Sequence, residues 1–324
     1  MIAKKIEINW HQGLPFFASE AFLKLVGDEY GWIGGIDESG VIRCILPYTI
    51  IRKSIFRMVR FRVETISVGE PIDVLEEKLF LKSVIEYFRL IGEDMIIPAT
   101  TNTIFRTYPE GAIPAPYGTY IVDLNQSEET LWSNLSATYR RKIRNSIKNG
   151  VEIRSGVEYL NTSYELIRNT LKQSNLGFMS FDEFNRLVLG LGDNVKIFIA
   201  YYQGSAQGCT IFPFSDFSAY SLYGGKIPES ETGAMNLLNW EAMRQFRDMG
   251  VKRFDFVGVR INPEKGSKQE GIMTFKQRFG GDLVQGYLWK YSLRPMKFTA
   301  YSLAVRMLRG GDIVDQELHK LATE

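Results

Sequence analysis

Lys276 lies in the run Phe275-Lys276-Gln277-Arg278-Phe279, and Ile272, Phe275 and Phe279 recur at i, i+3 and i+7. That spacing predicts a short helix pinned to a core by its apolar stripe, with Lys276 projecting beside the stripe. A fixed ammonium there can stabilise a developing oxyanion or hold phosphate and ribose. The alternative is an ordinary solvated lysine. Asp255 sits between Phe254 and Phe256 on a predicted core strand, so it points to the opposite face from them. A carboxylate at a strand end can accept a proton from an incoming amine or orient it. It can equally hydrogen-bond loop backbone. Arg140, Arg144 and Lys148 share a helix face at i, i+4 spacing. Like charges so aligned repel mildly, which points to phosphate groups as a partner, with a solvated basic face as the alternative. A second basic stretch, Arg52, Lys53, Arg57, Arg60 and Arg62, reads as a rim of the same groove or as an exposed strand face.

Other chemistries find little support. Cys44 and Cys209 stand far apart in apolar, strand-like contexts and read as buried small hydrophobes. His11 and His319 lie at opposite ends, so neither a zinc cluster nor histidine general-base catalysis is indicated. No metal is expected.

The elements that must position these residues follow from an internal repeat. Residues 32–49 read as strand, turn, strand, and residues 195–215 read the same way. Both second strands carry a cysteine, then apolar residues, then Pro and an aromatic: Cys44 with Pro47-Tyr48, and Cys209 with Pro213-Phe214. Each hairpin is followed by further strand-like sequence, a helix, a glycine and an apolar strand. The helices are expected over about 73–91, ending at Gly92, and about 234–249, ending at Gly250. Pro and Gly in 109–118 mark the junction between halves. Beyond it come a strand at 119–124 and one long helix capped by Ser127, with Leu131, Leu135, Tyr139, Ile143 and Ile147 in a stripe. A strand at 151–155 and helical stretches near 162–174 and 181–190 precede the second hairpin. The pattern alone gives a mixed α/β fold, twice.

Composition agrees with an ordinary folded chain. The 324 residues are 45% apolar and 23% charged, with 39 Lys and Arg against 37 Asp and Glu. A net charge of +2 does not announce nucleic-acid binding, so any basic function is local. The N-terminus alternates polar and apolar residues and does not read as a signal peptide, and no run reaches the roughly 18 apolar residues of a membrane span. A cytoplasmic location is expected.

The segment 254–282 resembles the signature of the Fem family of peptidoglycan-bridge aminoacyltransferases. It has the aromatic-polar-aromatic strand Phe254-Asp255-Phe256 with Gly258, then Phe275-Lys276, then Phe279-Gly280-Gly281. Residues 136–156 resemble that family's basic helix and Gly-Val strand, and 220–243 is a third similar segment. The resemblance spans nearly all of 120–290; the first half matches by architecture more than by motif. It implies two tandem GNAT-like domains, an α/β fold with mixed sheets: residues 1–115 as a degenerate copy, 116–292 carrying the active centre, and 293–324 as a helical tail. It further implies aminoacyl transfer from aminoacyl-tRNA to an amine of a nucleotide- or lipid-linked muramyl peptide, by a compact member without a coiled-coil arm. The family's active-centre Phe-Lys pair carries over to Phe275 and Lys276. Tyr223, Gly258 and Arg278, inside the matching segments, join Phe275, Arg140, Arg144 and Lys148 as candidates for substrate binding, with Lys276 and Asp255 as the catalytic candidates.

One stretch bears on the donor. Acetyl-CoA-using GNAT proteins carry a Gln/Arg-x-x-Gly-x-Gly/Ala loop whose amides hold pyrophosphate at a helix N-terminus. Here Ser230-Glu231-Thr232-Gly233-Ala234-Met235 keeps one glycine, and Glu231 adds negative charge. CoA is therefore disfavoured, which leaves a CoA- or carrier-dependent N-acyltransferase for an amino sugar or polysaccharide as the alternative. No bound cofactor is expected. The stretch from Trp289 to Arg309 mixes aromatic and basic residues and suits either packing on the body or peripheral contact with an anionic membrane surface.

Overall fold

The strands of the two hairpins are near-continuous apolar runs and are buried almost throughout, because both faces of each hairpin are covered. In the computed structural model, residues 1–321 are described. The first part contains β1 (Ile2–Ile6), α1 (Glu20–Val26), β2 (Glu29–Ile36), β3 (Ile42–Lys53), β4 (Phe56–Phe61), β5 (Ile66–Ser67), α2 (Val74–Leu90) and β6 (Met95–Ile96). The second opens with β7 (Ile113–Asp123), α3 (Glu128–Asn134), α4 (Ala137–Lys148), β8 (Glu152–Ser155), α5 (Leu160–Lys172) and α6 (Phe181–Gly190). It continues with β9 (Val195–Tyr202), β10 (Ser205–Pro213), β11 (Ala219–Tyr220), β12 (Tyr223–Lys226), α7 (Ala234–Asp248) and β13 (Arg253–Asp255). The chain closes with α8 (Lys268–Gln277), β14 (Asp282–Ser292), α9 (Pro295–Arg309) and α10 (Ile313–Leu321).

The repeat read from sequence is real in three dimensions. β2–β3–β4 is an antiparallel meander followed by α2 and then β6, which runs parallel to β4. β9 and β10 form the corresponding hairpin, β12 joins β10, and α7 leads to β13, which runs parallel to β11. Asp73 and Glu76 form a reciprocal capping box that starts α2. Gly92 and Gly250 end the two helices at φ 86° and 82°, a conformation that costs glycine nothing. Cys44 and Cys209 are fully buried, and burial pushes both thiols up to about 12.

The large sheet runs β1-β2-β3-β4-β6-β14-β7-β13-β11, and a smaller one runs β12-β10-β9-β8. From β4 to β11 the pairings read parallel, antiparallel, antiparallel, antiparallel, parallel. The long β7–β14 ladder, from Ile113 opposite Lys290 to Ile121 opposite Asp282, thus sits at the centre of a palindrome. The core follows this plan. One cluster lies under α7 and α8, another under α2, and a third joins the halves, where Phe17 meets the ring of Tyr220 at 4.6 Å.

Two local expectations are overturned. Most of the Pro/Gly-rich stretch 109–118 is strand, because Pro114 and Pro116 fall where β7 has a strand partner on one side only. The long helix predicted after Ser127 is two helices. Leu135 adopts an extended conformation at ψ 141°, and Ser136 starts α4 by accepting from the Tyr139 amide. The apolar stripe ran through this break because Leu135 remains buried on the same side. At the C-terminal end, Lys290 is buried and donates to Asp312 at 2.9 Å and Asp315 at 2.6 Å, which ties α10 to β14.

Candidate active site

β11 pairs with β13 for two residues only. The Ser221 amide then donates to the Asp255 carbonyl at 2.8 Å, and the next amide, Leu222, donates to Ile211 of the small sheet. Two parallel strands therefore part immediately beyond Asp255, and the chain after β13 lines the opening.

Asp255 is buried there, on the face opposite Phe254 and Phe256. Its Oδ1 accepts from the Val257 amide at 2.7 Å and from the Thr119 hydroxyl. Burial pushes its carboxyl up to about 6, against those two hydrogen bonds and the nearby charges of Lys276 and Arg253. Val257 has φ 45°, a conformation that a β-branched side chain strains to hold. The strain turns its amide toward Asp255 and its carbonyl toward Lys276. The Lys276 ammonium donates to that carbonyl and to the Gly258 carbonyl at 2.6 Å. Carboxylate and ammonium are thus linked through one strained residue. Burial pushes the ammonium down to about 8, offset in part by the Asp255 charge. An ammonium has three donors, so one N–H remains for a ligand.

The helix carrying Lys276 is fixed as its aromatics predict, with one exception. Phe279 is buried against Phe256 at 4.9 Å and Tyr139 at 5.1 Å, and Phe275 packs on Phe279 and Tyr139. Ile272 is exposed and does not join the stripe. Lys276 turns inward onto the loop carbonyls instead of projecting beside the stripe. Gly258 is needed for close approach, since a Cβ there would lie 2.7 Å from the Thr101 Cβ. Its amide donates to the Thr101 carbonyl at 2.9 Å, which joins the loop to the first half.

The first half supplies a residue that sequence reasoning missed. Burial pushes the Glu64 carboxyl up to about 7, and the Asp255 charge adds to the shift. Burial also drives the Tyr220 hydroxyl well above its usual range, with Glu64 and Asp255 both contributing. Glu64, Tyr220 and Asp255 are therefore near enough for each to feel the charge of the others. Nothing in the local context Val63-Glu64-Thr65 marks this; only the packing of the halves brings Glu64 there.

The other candidates are distributed around this centre. Tyr223 is half-buried at the start of β12, edge-on to Phe178 at 5.5 Å. Arg278 is exposed at the end of α8, and its carbonyl accepts from the Ser136 amide. Arg140 Nη1 donates to the Ser133 and Leu135 carbonyls, both at 2.6 Å, so this guanidinium closes the end of α3. Arg144 is exposed with its guanidinium 5.3 Å from the Trp132 ring, and Lys148 is exposed in the last turn of α4. The second basic stretch is used internally from Arg57 onward, while Arg52 and Lys53 are exposed. Arg62 is buried on Thr49 and the Val26 carbonyl, while Arg57 pairs with buried Glu93. The loop before α7 is packed against α4. Ser146 donates to the Thr232 carbonyl at 3.0 Å, Asn149 donates to Glu231 at 2.9 Å, and a Cβ on Gly233 would meet the Lys142 carbonyl at 2.7 Å.

Comparison with known proteins agrees with this architecture. Residues 112–207 match the model of the FemAB family. The structure is similar to the crystal structure of FemX, with a TM-score of 0.67 and 15% identity over 92% of this chain and 99% of that one. It is similar to the C-terminal domain of a putative lysylphosphatidylglycerol synthetase from Agrobacterium fabrum, with a TM-score of 0.54 and 14% identity over 90% and 95% of the two chains. The structure of L-PGS from Bacillus licheniformis gives a TM-score of 0.50 and 12% identity over 86% and 89%. No curated protein matches in sequence. At such identities the structural likeness carries the fold, two tandem GNAT-like units. The match over 112–207 bears out the Fem resemblance and, with that fold, supports an acyltransferase.

Proposed function

Taking as premise an acyltransferase of GNAT-like fold with a FemAB-family segment, we propose that this chain moves an amino acid from aminoacyl-tRNA to an amine of a peptidoglycan-precursor stem peptide. The observation that carries this reading is the Lys276 ammonium, held by the Val257 and Gly258 carbonyls where β11 and β13 part.

In aminolysis the amine nitrogen attacks the ester carbonyl carbon, an oxyanion forms, and the ribose oxygen leaves as a hydroxyl carrying the proton that the amine gives up. A preoriented donor at the oxyanion lowers that barrier because it needs no reorganisation. The third N–H of Lys276 is suited to that role. Asp255 is suited to orient the amine and receive its proton, since a carboxyl near neutrality exchanges protons readily at working pH. Phe275 holds α8 against Tyr139. Tyr223, Gly258, Arg278, Arg144 and Lys148 are assigned, as part of this proposal, to contact with the phosphate-bearing substrate. The packing of the 230–233 loop against α4 weighs for an aminoacyl-tRNA donor over CoA, because the Glu231 amide already donates to Gln207 and the Glu231 side chain adds negative charge where pyrophosphate would lie. This reading places the protein in the cytoplasm, where aminoacyl-tRNA is made.

The test is incubation of purified protein with radiolabelled aminoacyl-tRNA and muramyl-pentapeptide acceptors, nucleotide-linked and lipid-linked. Label in the acceptor is expected. No transfer from any charged tRNA, together with efficient transfer from an acyl-CoA, would replace this reading with the CoA-dependent N-acyltransferase.

A further inference from the structure

α9 has one packed face and one bare face. Phe298 and Tyr301 pack inward on Met58, Met95 and Ile97, and Tyr301 meets Phe56 edge-on at 5.6 Å. Outward, Met296 is 90% exposed, Leu303 59%, Met307 79% and Leu308 82%. Met296, Ala300, Leu303 and Met307 recur at helical spacing, so the bare residues form a stripe along the axis. The patch continues past the helix. Lys297 donates to the Ile55 carbonyl at 2.9 Å, which sets the exposed Ile55 beside the start of α9. A Cβ on Gly92 would lie 3.4 Å from Arg294, which brings the exposed Leu90 at the end of α2 to the same corner.

The charge carried by α9 has one sign. Residues 283–311 contain no Asp or Glu; Arg294 and Lys297 at the N-terminal corner pair with buried Asp94, and Arg306 and Arg309 are exposed in the last turn. Apolar side chains fully exposed on a helix cost solubility and, grouped in a patch, mark an interaction surface. A second copy of the same face would set like charges against each other, so self-association is opposed. An apolar stripe within a basic margin complements an anionic bilayer, where methionine and leucine enter the acyl boundary and guanidinium groups meet headgroup phosphates. Among the described residues, no helix is long and apolar enough to cross a membrane.

We infer that the outer face of α9, with Ile55 and Leu90 at its N-terminal corner, docks this protein flat on an anionic lipid bilayer. The contact is peripheral and reversible. It stands apart from the chemistry at Lys276 and holds whichever acyl donor is used.

Co-sedimentation with vesicles tests it. The full chain is expected to sediment with vesicles of phosphatidylglycerol and phosphatidylcholine, to stay in solution with pure phosphatidylcholine, and to be released by salt. Replacing Met296, Leu303, Met307 and Leu308 together by Ser should abolish sedimentation while leaving the melting temperature and transfer to a soluble nucleotide-linked acceptor unchanged. Arg306→Glu with Arg309→Glu should weaken binding by on the order of tenfold or more, near fivefold for each positive charge lost. Failure to bind anionic vesicles, or binding that both sets of variants leave intact, overturns the proposal. So does a dimer in solution that dissociates in the Ser variant, since the face would then cover a second copy. Because the soluble acceptor reports transfer separately, loss of docking and loss of the enzymatic reading are distinguishable.

Discussion

The Nζ of Lys276 lies 2.6 Å from the carbonyl oxygen of Gly258, so an ammonium on a helix is fixed by backbone of the loop that follows β13. The carbonyl of Val257, which precedes Gly258, accepts from the same nitrogen. Two of three donors are thereby committed and the direction of the third is set. Lys276→Met is expected to lower kcat by roughly 10²–10³-fold, the usual cost of losing one oxyanion donor, with a smaller change in KM. Lys276→Arg should not rescue it, because a planar fork cannot reproduce a point donor between two carbonyls. Steady-state kinetics with a soluble acceptor checks both.

The pH dependence of kcat follows from the two displaced groups. Transfer needs Asp255 ionised, so the rate should rise as pH passes about 6, and it needs Lys276 protonated, so it should fall as pH passes about 8. In Asp255→Asn the acidic limb should disappear while the alkaline limb remains. A profile that stays flat from pH 5 to 9 would exclude this pair as the acid and base.

Stability should move with pH in a specific direction. Asp255 and Glu64 both have folded pKa values above their ordinary ones, so the folded chain binds more protons than the unfolded chain between about pH 4 and 7. The stability these groups contribute is therefore fully present near pH 4 and is lost as pH rises through about 6 and 7. Asp255→Asn keeps an oxygen for Val257 and Thr119 and removes the buried charge. At pH 8 it should stabilise the protein by on the order of 1–3 kcal/mol, and that gain should vanish near pH 4. Denaturant melts of both proteins at the two pH values measure the difference.

The basic helix should divide by role. Arg140→Ala leaves the last carbonyls of α3 without their donor, for a loss of about 1–3 kcal/mol in unfolding free energy. Arg144→Ala and Lys148→Ala should stay within about 0.5 kcal/mol of the parent in stability. If they contact substrate phosphate, they should instead raise KM and flatten its salt dependence. Thermal melts alongside kinetics at two ionic strengths separate the two outcomes.

What sequence disclosed and what it concealed divides along physical lines. α2 and α7 were legible because caps, apolar spacing and terminal glycines are local signals, and the repeat emerged from their order. The face of Asp255 opposite Phe254 and Phe256, and the anchoring of α8 by Phe275 and Phe279, were legible because alternation and helical spacing fix which side chains share a face, whereas Lys276 was singled out by the motif it resembles. The break at Leu135 was hidden because the stripe continues across it, and the strand at 113–118 because proline on a half-paired strand reads like proline in a loop. Glu64 could not be found from its neighbours, since its environment is made by residues far away in sequence. The inward turn of Lys276 was likewise invisible, because it depends on the conformation of Val257.

The central placement of β14 also governs how the protein comes into being. β6 belongs to the first part yet borders a strand that ends at Ser292, and β7 borders that same strand along most of its length. During synthesis the edge at Met95 and Ile96 must wait, unclosed, until the chain through Ser292 has left the ribosome. The first part therefore cannot mature ahead of the second, and fragments cut at the middle should be substrates for chaperones and proteases rather than usable modules.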